Sequence, residues 1–456
     1  MSAWQDLVTA SLLGTERAAV PAVPLPGPPS RAGAPDTPAP GIAADPAAFL
    51  LDQAALLTAA RRGGRRQERA EPLAAAEPDT VPAVRPAARR RLARMLGGEH
   101  PDLLAEWLAA VAGHGRRVPA QSLPALLHQA RRGSPADSEL RRLVAAAGGA
   151  RARWLAGLNP EWTFVLSYAP AGQEAWRLGD TVQRRGYLSA LRARDPGAAR
   201  ELVEESWDAA GPRERVMFLG ALATGLSLAE ESLLEAALDD QHARVRQDAA
   251  DLLAALPGSA LAGRMAGRAR RSLHLRLGPD GDGLLVSPPG DCDAAMRRDG
   301  ITPVPPASGS PLAAQAMLLL DLMARTPLRT WTDRFKLTPA EIAGLPAGDW
   351  TPVLFTGWAR AAIAQSRYDS GSRGRGAWEW MAALTTWAVR HGLHGGSAAA
   401  AAAALGQLAR RADPVLGAPG ALPEPRPDAP PFLPDAVRVL RFRYQMLKEL
   451  DDDGAG

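Results

Sequence analysis

Apolar and polar positions alternate along this chain in a pattern that predicts a long succession of short amphipathic helices. The clearest run is residues 212–256, PRERVMFLGALATGLSLAEESLLEAALDDQHARVRQDAADLLAAL. It predicts three helices with two tight breaks. Pro212 suits a first helical position, where a missing N–H costs nothing. Val216, Leu219, Leu222 and Ala223 form one stripe, and Gly225 ends it. Ser227 and Glu230 form an S-x-x-E capping box, in which two unpaired N–H groups are satisfied reciprocally. Leu234, Ala237 and Leu238 carry a second stripe; Val245, Ala249, Leu252, Leu253 and Leu256 carry a third. Each helix has one apolar face and must bury it on neighbours, which is the logic of a stacked helical array.

The same reading predicts helices over 4–17, 49–60, 87–96, 101–112, 122–132 and 137–147. A pair over 181–192 and 198–207 leads into the central run, and further helices follow over 312–324, 350–364, 378–390 and 435–450. Thr338 and Glu341 form a second capping box. Residues 273–289 alternate about a Gly-Asp-Gly turn and predict a β-hairpin. Pro- and Ala-rich stretches at 18–48 and 413–434 read as linkers. The organisation expected is an N-terminal helix (1–17), an N-terminal helical region (49–132), a repeat core (133–273), a hairpin and Pro-rich connection (274–311), a C-terminal helical region (312–412) and a terminal helix with an acidic tail (435–456).

Composition narrows the function classes. The 456 residues suffice for two or three cores. Lys336 and Lys448 are the only lysines, and Asn159 the only asparagine. Arg in place of Lys is therefore a compositional habit and weak evidence of function. A net charge of +4 with a pI near 9.7 permits an anionic partner without demanding one. Cys292 is the single cysteine, so no intrachain disulfide forms. Asp6 and Glu16 argue against a signal peptide, and no run reaches the roughly 20 apolar residues of a spanning helix. A cytoplasmic protein without membrane contact is expected.

Motifs for chemistry are sparse. Of the histidines, only His391 and His394 are close, with no Cys or carboxylate cluster beside them, so neither a metal nor a catalytic site is expected. There is no H-E-x-x-H, G-x-S-x-G or Walker loop, and no cofactor is expected. Asp280 and Asp282 flank Gly281 without the EF-hand spacing. The glycines at 371–376 follow no strand, and the basic run at 61–69 reads as a solvated loop. Trp154 and Trp162 bracket the Asn159-Pro160 turn as packing anchors. Arg213, Arg215, Arg244 and Arg264 are candidates for a binding surface.

The segment LEAALDDQHARVRQDAADLLAAL resembles HEAT repeats, with the D…VR…A…L pattern on Asp240, Val245, Arg246, Ala249 and Leu252. The resemblance implies an all-α, HEAT-like α-solenoid in which Asp240 and Arg246 form a ladder between neighbouring repeats. LVTASLLGTER, RWLAGLNPEW, the 234–264 segment and RRDGI (297–301) together resemble an uncharacterised bacterial family of unknown function. That resemblance implies gene clusters with a MoxR-type AAA+ ATPase, a von Willebrand factor A-domain protein and a SWIM zinc-finger protein. The function expected is a non-enzymatic scaffold or adaptor for protein partners. The alternative is a HEAT-like nucleic-acid binder, of the kind that can act on DNA bases.

Overall fold

The stripes become helices in the computed structural model of the protein, which describes residues 3–20, 22, 45–62, 73–132, 138–168, 173–279, 281–302, 311–366, 375–392, 398–425 and 429–454. Residues 63–69 of the basic run, 371–374 of the glycine loop, Asp280, His394, residues 426–428 and most of 18–48 lie outside the described residues. The chain divides into two compact units, Met1–Ala75 and Ala76–Gly456. In the first, helices Ala3–Leu13 and Pro46–Arg62 pack together, with Leu7 and Ala10 buried and Leu12 and Leu51 exposed.

The second unit is mostly helical. It opens with helices Pro86–Leu96, Leu104–Gly113 and Leu123–Arg132, which bury Leu92, Trp107, Leu108, Leu126 and Leu127. Helix Ser138–Leu158 bends at Gly149, whose φ of 64° is open to glycine at little cost. Trp162, in the turn segment that follows, packs against the core.

Three helix pairs come next: Thr181–Arg194 with Pro196–Ser206, Pro212–Leu222 with Glu231–Ala237, and Ala243–Ala254 with Ala260–Ser272. The first helix of each pair packs on the first helix of the next. Their buried positions recur at one constant interval: Leu188, Leu219 and Ala250; Leu191, Leu222 and Leu253; Val203, Leu234 and Met265. The breaks are capped in the same way each time. Asp195 accepts from the Ala198 N–H at 3.0 Å, Ser227 from Ala229 at 3.2 Å and Ser259 from Ala262 at 3.1 Å. Each cap satisfies a donor that the helix start leaves unpaired.

Helix Ala260–Ser272 runs directly into the hairpin of β1 (Leu273–Arg276) and β2 (Gly283–Val286), antiparallel with Leu273 opposite Val286. Helix Pro311–Arg325 then packs on Ala260–Ser272 and on Thr351–Ser366, a helix buried nearly all round. Thr338 and Glu341 form the second capping box. Helices Arg375–His391 and Ala398–Arg411 complete this layer. The last helix, Phe432–Gly454, returns to the beginning of the unit: Arg443 donates to Glu106 at 2.8 Å and Arg91 to Glu449 at 2.6 Å. An open helical stack has two free ends; in this unit the last helix packs on the first ones.

The faces of helix Ala243–Ala254 give a direct check. Leu253 is fully buried, whereas Gln247 is half-buried and bonds only the exposed Asp251. Leu253→Ala is expected to cost about 2–5 kcal/mol from lost transfer energy and the cavity left behind. Gln247→Ala should stay within about 0.5 kcal/mol. Urea melts followed by circular dichroism measure both, and equal losses would contradict the burial pattern.

Candidate functional site

Arginine is the residue that ties the helix pairs together. Arg184 donates from Nε to the Trp176 carbonyl at 2.9 Å, and its guanidinium lies 5.1 Å from the Trp176 ring centroid. Arg215 repeats this with Trp207, at 3.1 Å and 5.5 Å. Each then forms an ion pair with an acid of the following pair or break: Arg184 with Glu214, and Arg215 with Asp240 at 2.7 Å. Arg246 stands one further interval along and donates to the Asp240 backbone carbonyl at 2.7 Å. So Asp240 and Arg246 are joined through the main chain, while the Asp240 carboxylate serves Arg215 and the His242 N–H. Burial would raise the Asp240 pKa; the bonds from His242 and Arg215 outweigh it and hold the carboxyl below its ordinary value.

Arg192 is the most enclosed member of this set, at 1% exposure. It donates to the carbonyls of Pro196, Leu222, Thr224 and Gly225 and to Glu230 Oε1 at 2.9 Å. Glu230 also closes the capping box with Ser227, so one carboxylate starts a helix and neutralises a buried cation.

The RRDGI segment forms a second knot. Asp299, almost fully buried, accepts from Arg264 at 2.8 Å and from Arg268 at 2.6 Å. Arg298 clasps Asp239 at 2.8 Å and also reaches Glu235. Gly300 makes this turn possible: its φ is 84°, and a Cβ there would stand 2.5 Å from the Ala250 Cβ.

Of the four candidate arginines, Arg215 and Arg264 are therefore held by carboxylates inside the fold. Arg213 is exposed. Arg244 is exposed too and pairs with Asp248 one helical turn on, at 2.9 Å. The four do not line one groove. Arg244 alone borders a cleft of about 610 Å³ between the helix pairs and the C-terminal helices.

That cleft is the candidate functional site. Helix Ala243–Ala254 supplies Arg244, Gln247, Asp248 and Asp251 from one face, at helical spacing. Helix Pro311–Arg325 supplies Asp321 and Arg325; helix Thr351–Ser366 supplies Arg360; helix Ala398–Arg411 supplies Gln407. Leu219, Leu252 and Ile363 give the floor an apolar part. Arg325 is mostly buried and reaches Asp251 at 2.8 Å. Burial pushes the Asp321 carboxyl above its ordinary value, against the pull of Arg325, the Thr302 N–H and Arg360. Arg360 is exposed and has no ion pair among the described residues. The lining residues include no histidine, cysteine or serine. The site offers the exposed Arg360 guanidinium, a half-buried carboxyl and amide groups over an apolar floor. Among the described residues no three His, Cys, Asp or Glu side chains come together to hold a metal ion. No described helix is long and apolar enough to cross a membrane.

The Asp299 and Asp321 carboxyls should respond to pH with opposite signs. Burial would raise Asp299, but the bonds from Arg264 and Arg268 lower it further. Its contribution is thus fully present above the unfolded value near 4 and lost as pH falls through the folded value. Asp321 is raised, so its contribution is present below the unfolded value and lost as pH rises through the folded one. Asp299→Asn is expected to destabilise at pH 7 and to flatten the acid limb of stability. Asp321→Asn is expected to leave stability at pH 7 unchanged or raised. Urea midpoints of both variants between pH 3 and 8 decide; equal losses at pH 7 would contradict the assignment.

No curated protein and no solved structure matches the chain. A family model matches residues 6–412, from within the first helix through helix Ala398–Arg411, and takes in the three helix pairs, the RRDGI knot and the polar cleft. The chain belongs to this family, a family of unknown function designated DUF5691.

Proposed function

We propose that this chain is a non-enzymatic scaffold, a HEAT-like α-solenoid that binds a protein partner in the polar cleft. The observation that carries the reading is the constant interval at which Leu188, Leu219 and Ala250, and Arg184, Arg215 and Arg246, recur through three helix pairs. One buried set and one capping set repeated in step is what a stacked repeat needs, and such stacks present extended surfaces for partners. The cleft adds the exposed Arg360 beside Gln247 and Gln407, donors suited to an acidic or backbone-rich peptide segment. The partner class is a MoxR-type AAA+ ATPase or a von Willebrand factor A-domain protein, as the resemblance of LVTASLLGTER, RWLAGLNPEW and RRDGI implies. The nucleic-acid alternative draws on the arginine surplus, but two of its four candidate arginines, Arg215 and Arg264, already pair with carboxylates.

Co-purification tests the proposal. Tagged wild type, expressed together with such an ATPase and A-domain protein, is expected to retain one of them, and Arg360→Glu to lose it while keeping its melting temperature. Recovery of neither, or equal recovery by Arg360→Glu, would overturn it. Mobility shifts with DNA and RNA at low salt bear on the alternative, since phosphate contacts weaken steeply with added salt.

A further inference from the structure

A second and larger cleft, of about 910 Å³, opens between the break at Leu256-Pro257-Gly258 and the helices Arg329–Phe335 and Arg375–His391. Its inner wall is apolar: Leu256, Leu328, Ala377 and Trp380 are buried there. The one buried polar group in that wall, the Gln365 amide, is already satisfied, accepting from the Leu328 N–H and donating to the Thr326 carbonyl. Leu228 stands at the mouth, half exposed.

Lys336 on the rim is anomalous twice over. The chain writes its basic residues almost entirely as arginine, and Lys336 is one of only two lysines. It also occupies a left-handed conformation, φ 57°, at the end of helix Arg329–Phe335, where glycine or asparagine sits at less cost. Its conformation is fixed from both sides. Its own N–H donates to the Thr332 carbonyl at 3.0 Å, and the Thr338 N–H two residues on is bound by Glu341 at 2.7 Å. A strained residue held by its surroundings is the kind of outlier that a function retains. The Lys336 ammonium is exposed and makes no hydrogen bond or ion pair among the described residues. Arg329 lies on the same rim, with Nη2 on the Pro257 carbonyl at 3.0 Å and no other side-chain bond among the described residues, and Glu379 is the one acid among the described residues that line the cleft.

We infer that this cleft binds a small organic acid: an apolar body against Leu256, Leu328 and Trp380, and a single anionic head on Lys336 and Arg329. The volume lies within the range of small-ligand pockets, and the cations on the rim outnumber the acid. A compact ammonium at the edge of an apolar wall gains strength from the water that the ligand excludes. The site is separate from the polar cleft, and its existence does not depend on the partner proposed above.

The probe is 8-anilinonaphthalene-1-sulfonate, with N-phenyl-1-naphthylamine as its neutral counterpart, both read by fluorescence on the full chain. Saturable binding of one sulfonate probe per chain is expected. Lys336→Gly should weaken it roughly tenfold, as loss of a charge-assisted hydrogen bond implies. The neutral probe should bind that variant as it binds wild type. Because glycine suits the left-handed position, the melting temperature should not fall; Lys336→Asn is a second uncharged residue that tolerates it. Leu228→Asp should weaken both probes. Unchanged sulfonate affinity in Lys336→Gly and Lys336→Asn would overturn the inference. So would the absence of saturable binding, or loss of binding in Arg360→Ala in place of the Lys336 variants.

Discussion

A helix ends with carbonyls that its own backbone cannot satisfy, and in this protein an arginine from a neighbouring element repeatedly reaches them. Arg184 and Arg215 bond the carbonyls of Trp176 and Trp207. Arg192 takes those of Leu222, Thr224 and Gly225. Arg443 takes Ala409 and Ala412, and Arg141 takes Ala130 and Arg131. A guanidinium suits this work: it is planar, stays charged and carries five donors in a fixed fork. The negative end of the helix dipole adds to the attraction. Leaving such carbonyls buried and unpaired would cost about 1–3 kcal/mol each, so the order of the helices depends on these contacts.

Many of the arginines serve as internal fastening. The carboxylates follow the same plan. Glu230 and Asp240 sit at breaks between helices, where each meets an arginine from the preceding pair. Asp299 gathers Arg264 and Arg268 at the point where the helix pairs give way to the C-terminal helices. Two clefts lie between these helix pairs and the C-terminal helices, one polar and one apolar with a basic rim.

Elements governed by local chemistry were legible in the sequence. The two capping boxes, the hairpin at 273–289 and the stripe ending in Leu252, Leu253 and Leu256 all follow from residues a few positions apart. The recurrence of Arg184, Arg215 and Arg246 was also present, but it is hard to see in a chain so rich in arginine. Its meaning lies in main-chain carbonyls, which leave no mark in a sequence. RRDGI stood out as a motif, yet the role of Asp299 depends on Arg264 and Arg268, some thirty residues earlier. Arg360, Asp321 and Lys336 belong to clefts made by helices far apart in the chain, and no periodicity brings them together.

Hydrogen exchange of Arg192→Met tests the central claim most directly. Methionine fills most of the volume but leaves the carbonyls of Leu222, Thr224 and Gly225 without this donor and the Glu230 carboxylate without its buried guanidinium. Faster exchange is expected across both Pro196–Ser206 and Glu231–Ala237, with the amides of Pro86–Leu96 and Phe432–Gly454 still protected. Unchanged protection in those two helices would contradict the account, because the pairs would then be held by apolar packing alone.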